Sequence, residues 1–102
     1  MLHRKVKIIM YKIKISIDTI TGKTYTSYTT IDDGEGNPCT DYDTAWEVYQ
    51  EFSTLVEDAV NNGEKITSVV LDDPLEKKEG SKLIVNPQHI VAAEVEFVEV
   101  EE

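Results

Sequence analysis

Several kinds of residue are too scarce in this chain for the functions that need them. There is one cysteine, Cys39, so no internal disulfide framework can form, and the expected compartment is a reducing one. There are two histidines, His3 near the start and His89 in an Asn-Pro turn, and neither has a sequence neighbour suited to orienting a catalytic imidazole. The longest apolar run, Ile8-Ile9-Met10-Tyr11, is far too short to span a bilayer. The basic start is followed by Lys7, Lys12 and Lys14, which break up any signal-peptide core. These shortages predict a cytoplasmic chain with no membrane partner. Cations are also missing from the middle, with none between Lys23 and Lys65.

What is plentiful is negative charge. The 102 residues carry a formal net charge of −10, with 40% apolar residues, a globular rather than disordered composition. The length suits a single domain with a modest core. Up to residue 31, six cations (Arg4, Lys5, Lys7, Lys12, Lys14, Lys23) face Asp18 alone; beyond it, acids dominate heavily. Such a body repels nucleic acid, because phosphates would meet carboxylates instead of releasing counterions. It favours solubility and steering toward basic partners.

The hydrophobic pattern predicts an α+β fold of order β-β-α-β-β-β: a mainly antiparallel sheet of about five strands with one amphipathic helix on one face. Residues 5–17 form a strand in which Tyr11, Ile13, Ile15 and Ile17 alternate with polar residues. Upstream, Val6, Ile8 and Met10 alternate in the opposite phase. That slip implies either a bulge or a start at Met10 with residues 1–9 as an extension. The turn 18–23, with Gly22, leads to a Thr/Tyr-rich strand over 23–31 that closes an antiparallel hairpin. A loop over 32–43 precedes the helix. Thr44 and Glu47 have capping-box spacing, and Asn61-Asn62-Gly63 is a stop. The expected buried stripe is Ala45, Val48, Tyr49, Phe52, Leu55, Val56 and Ala59. Strands are expected over 65–71, 82–85 and 90–100, with a tight connection at Asn86–His89.

No catalytic or metal-binding constellation stands out, and no cofactor is called for. Cys39 lies among acids, which oppose thiolate formation. The oxygen-rich run Asp32-Asp33-Gly34-Glu35-Gly36-Asn37 lacks the EF-hand spacing, and Gly22-Lys23-Thr24 lacks the first glycine of a P-loop. Asp72 and Asp73 are adjacent on a strand and point to opposite faces. The chain is therefore not expected to be an enzyme.

The sharper signal is on the helix. Asp43, Glu47, Glu51, Glu57 and Asp58 occur there with no lysine or arginine. A helix that is merely solvated gains from Glu–Lys pairs of about 0.2–0.5 kcal/mol each, whereas here Glu47 and Glu51 repel. Trp46 sits on the shoulder of the apolar stripe, where it either packs at the domain edge or anchors a partner. With the loop acids Asp32, Asp33, Glu35 and Asp41, these residues form a candidate partner-binding surface. In size and charge the chain resembles small acidic proteins of bacteriophages and other mobile elements, including anti-CRISPR proteins and DNA mimics, although no family motif accompanies the resemblance. The resemblance implies an inhibitor that occupies a basic, nucleic-acid-handling protein surface. The alternative is a structural module that oligomerises, for example as a homodimer, through its edge strands.

Overall fold

The computed structural model describes residues 8–61, 69–77 and 79–101. Its elements follow the expected order: β1 (Ile9–Thr19), β2 (Thr24–Thr30), α1 (Tyr42–Asn61), β3 (Val69–Asp72), β4 (Lys82–Val85), a short 3-10 turn (Pro87–His89) and β5 (Ile90–Glu101). The strands divide between two antiparallel sheets. One has the order β2-β1-β5, and the other is the β3–β4 hairpin. The upstream part of the strand expected from residue 65 lies outside the described residues.

The first strand is the centre of the larger sheet because it is the most apolar on one face. Ile13, Ile15 and Ile17 are buried there, each paired with β2 on one side and β5 on the other. Gly22, at φ +83°, supplies the left-handed residue of the β1–β2 turn, and its N–H donates to the Thr19 carbonyl. Helix α1 covers the β5 side of the inner face, and β3–β4 closes the Ile17 end. Tyr11, Ile13, Ile31, Cys39 and Ala45 form one core cluster, and Ile15, Ile17, Val56 and Leu71 form another. Phe52 and Val95 pack against both and join them.

Three local details differ from the sequence reading. The helix begins two residues before Thr44. The Asp41 carboxylate accepts from the Thr44 N–H at 3.0 Å and from its hydroxyl, so Asp41 is the cap and Thr44 lies in the first turn. The buried stripe is narrower than expected, with Leu55 64% exposed and Val48 also at the surface. Finally, β1 has no register shift near Met10; the shift falls at Asp18/Thr19. Met10 pairs with Val100 and Lys12 with Val98, so Met10, Val98 and Val100 lie on the outer face of the sheet together. The change of phase in β1 is matched by one in its partner, and no bulge is needed.

The two outer edges of this sheet are treated differently. At β2, the Leu75 N–H donates to the Thr26 carbonyl at 2.8 Å, and the Thr26 N–H donates to the Glu76 carboxylate at 3.0 Å. The segment after β3 thereby covers that edge. At β5, the Tyr49 hydroxyl donates to the Val95 carbonyl at 3.1 Å. No helix among the described residues is long and apolar enough to cross a membrane.

Candidate partner-binding surface

The acidic residues of the helix are gathered on one face. At 100° per residue, Asp43, Glu47, Glu51 and Asp58 fall within about 80° of one another, opposite the line of Ala45, Phe52 and Val56. All four are exposed. From Asp43 to Asp58 the stripe is about 22 Å long at the helical rise. No described cation pairs with any of them. Lys14 pairs with Glu96 on the outer face of the large sheet and Lys82 with Asp72 on the small sheet, each at 4.0 Å. Lys14 of β1 is therefore engaged away from the helix. Asp43 lies in the first turn, where a carboxylate complements the helix dipole. The last turn holds no basic residue, so Glu57 and Asp58 stand at the unfavourable end.

The loop acids have local work to do. The Asp32 carboxylate accepts from the Gly34 and Gly36 N–H groups, and the Asp33 carboxylate accepts from Glu35 and Asn37. These bonds fold residues 32–38 into a small closed turn, pinned by an Asp32–Pro38 bridge. Asp41 is committed to the helix cap, and the bonds from Thr44 hold its carboxyl below the usual 3.8. Asp32, Asp33 and Asp41 are fixed by these bonds, while Glu35 accepts none of them and is exposed. Ile31 and Cys39, which flank the turn, pack in the same core cluster as Ala45. The turn is thus anchored at the N-terminal end of α1, beside the start of the acidic stripe.

Trp46 is 38% exposed and belongs to an aromatic cluster at that same end. Its ring stacks with Tyr42 at 6.2 Å and meets Phe97 edge-on at 5.3 Å and Tyr49 at 5.1 Å. Tyr11 stacks on Phe97 at 5.3 Å. Such pairs each contribute about 0.5–1.5 kcal/mol beyond burial. Trp46 therefore packs at the domain edge with part of its surface left exposed. Burial, then the charge of Glu99 and the proximity of Tyr42 and Asp41, raise the Tyr11 hydroxyl above its usual 10. Negative potential therefore reaches the aromatic patch. Tyr42, Phe97 and Tyr11 were not legible as site residues, because their meeting depends on β5 lying beside β1. The only local signal was Tyr42 four residues ahead of Trp46, on one side of a helix.

Cys39 and the backbone of His89 take part in local structure. Cys39 is buried, and its thiol donates to the Asp41 carbonyl at 3.4 Å. The His89 carbonyl accepts from the Ile20 N–H, and the Asn86 side chain caps the 3-10 turn by accepting from Gln88. No protein-family model matches the chain, and no curated protein or solved structure matches it either.

Proposed function

We propose that this is a non-enzymatic interaction protein of the cytoplasm that inhibits a basic, nucleic-acid-handling protein by docking its acidic helix face on that protein's cationic surface. One observation carries the reading. The Asp43, Glu47, Glu51 and Asp58 carboxylates line one exposed side of α1, and none is paired with a cation among the described residues. Glu47 and Glu51 repel one another and Asp58 stands at the negative end of the helix, so these three oppose helix formation slightly and contribute nothing to the fold. The exposed part of Trp46, at the head of the stripe, supplies an aromatic anchor of the kind enriched at binding hot spots.

The charge spacing bears on the form of the mimicry. Four carboxylates over about 22 Å is sparser than one phosphate per about 3.4 Å along a single strand of duplex DNA. The helix alone therefore imitates nucleic acid poorly. The fixed carboxylates of Asp32 and Asp33, with Glu35, extend the negative field past the helix start. Binding to an isolated basic nucleic-acid-handling protein should weaken about tenfold as salt rises from about 0.05 to about 0.3 M. Charge reversal at Glu47, Glu51 and Asp58 together should abolish it. Salt-insensitive binding, or an unaffected triple variant, refutes this reading.

A second reading, an assembly module that oligomerises through its edge strands, draws on the length of β5, which among the described residues has a neighbour strand on one side only.

A further inference from the structure

Among the described residues no strand pairs with the outer edge of β5, which lies apart from the acidic stripe. Its hydrogen-bonding parity follows from the register. The Thr26 N–H and carbonyl are taken by Glu76 and Leu75, outside the sheet, so Ser16, opposite Thr26, turns its own backbone groups toward β5. Ser16 faces Glu94, so Glu94 bonds inward and its neighbours Ala93 and Val95 bond outward. The Tyr49 hydroxyl on the Val95 carbonyl independently gives the same answer. The outward N–H groups of Ala93, Val95 and Phe97 have no partner among the described residues.

Beside this row runs a groove of about 310 Å³ between α1 and β5, lined by Ser53, Val56, Glu57, Val60, Ala93 and Val95. Ser53 also borders a second hollow that continues along the helix to Trp46. The width between a helix and a strand edge suits one extended chain. Charge decides the occupant. From residue 90 onward β5 carries Glu94, Glu96, Glu99 and Glu101 and no cation, and α1 carries none either. A second copy would bring two acid-rich strands and two acidic helices together, which like-charge repulsion opposes.

We propose that β5 accepts an extended peptide segment of a partner protein, added as a fourth antiparallel strand between β5 and α1. The segment would alternate small apolar residues, facing Ala93, Val95 and the groove, with lysine or arginine facing Glu94 and Glu96 on the outer side. Addition at Val95 displaces or shares the Tyr49 hydroxyl, whose bond holds the place of one inter-strand donor.

The test uses the full chain, isotope-labelled for NMR, and a short synthetic peptide of alternating lysine and valine. The expected result is new exchange protection at the Ala93, Val95 and Phe97 amides, with shifts at Ser53 and Val60. A peptide N-methylated on its pairing edge should bind at least about tenfold more weakly. Ala93→Pro removes one outward donor and no bond of the sheet, so it should fold and lose binding. Ser53→Trp fills the groove and should do the same if the proline variant proves unstable. Equal binding of the N-methylated peptide, or wild-type binding by folded Ala93→Pro or Ser53→Trp, overturns the proposal. So does a peptide-free dimer with these amides already protected. The Glu47→Lys, Glu51→Lys, Asp58→Lys variant should still bind the peptide within about threefold, which separates this surface from the stripe.

Discussion

Two exposed carboxylates show how individual residues trade stability against charge. The side chain of Glu96, two positions along β5 and on the same face, shares a hydrogen bond with Glu94. That bond and the Glu96 charge raise the Glu94 carboxyl above its ordinary 4.5, and Lys14 offsets this in part. An acid that holds its proton more tightly in the fold weakens the fold when ionised. The penalty is present at neutral pH and fades as pH falls through the raised value toward 4.5. Glu94→Gln should therefore raise Tm at pH 7 by about 1–2 °C, with the gain gone below pH 4.5, as thermal melts across pH would record. Asp41 behaves in the opposite sense. Its lowered value means that its cap stabilises above 3.8 and is lost as pH falls through the depressed value. Asp41→Ala should lower Tm at pH 7 and make no difference in strong acid. Asp41 was legible in the sequence as an acid but not as the cap, because Asp41 with Thr44 and Thr44 with Glu47 both have the required spacing. Tyr42 decides between them. Starting the helix there lets its ring meet Tyr11 and Phe97 edge-on at 5.9 and 5.6 Å.

Elements follow from pattern where one face is buried, and less surely where neither is. The helix and the β1–β2 hairpin were both legible, since each has a periodicity of its own and a recognisable turn or start signal, while the stop expected at Asn61-Asn62-Gly63 runs outside the described residues. The division into two sheets was not, because pairing partners are a tertiary property. The phase change near Met10 is instructive. Within β1 alone it suggests a bulge, but Val98 and Val100 change phase in β5 at the matching register, so the outer face simply becomes apolar at that end. Helix α1 yields a prediction at this scale. With no basic residue in its last turn, Asp58→Lys should stabilise the protein by about 0.5 kcal/mol in chemical denaturation. The same substitution should weaken binding to a basic partner. A variant that gains stability and loses binding would separate folding from recognition; one that leaves binding intact would remove Asp58 from the surface.

For the whole molecule, salt should act in two directions. Screening relieves self-repulsion in a chain of net charge −10, so moderate sodium chloride should raise the denaturation midpoint while it weakens any partner held by the acidic stripe. The core tolerates little loss. Ile17 has no exposed surface and packs in the cluster that joins β1, α1 and β3, so Ile17→Ala should cost about 2–5 kcal/mol. Against a typical total of about 5–15 kcal/mol, that leaves a protein close to unfolding at moderate temperature. The acidic surface was legible at this scale from charge bookkeeping along the chain. The acid-bearing last strand was also legible as an edge that could take another chain, but which of its backbone groups turn outward was not, since hydrogen-bond parity appears only once the register is known.

The placement of β1 also governs how the chain can be made. Its contacts with β5 join Ile9 to Glu101 and Ile17 to Ala93, far apart in the sequence. During synthesis the hairpin of β1 and β2 leaves the ribosome before β5, with one side of its most apolar strand waiting until α1, β3 and β4 have also been translated. Until β5 arrives, the nascent chain has an unpaired, isoleucine-rich strand that is vulnerable to off-pathway association. A stop codon anywhere before residue 90 would leave that vulnerability permanent, and the expected product is insoluble rather than a smaller working protein.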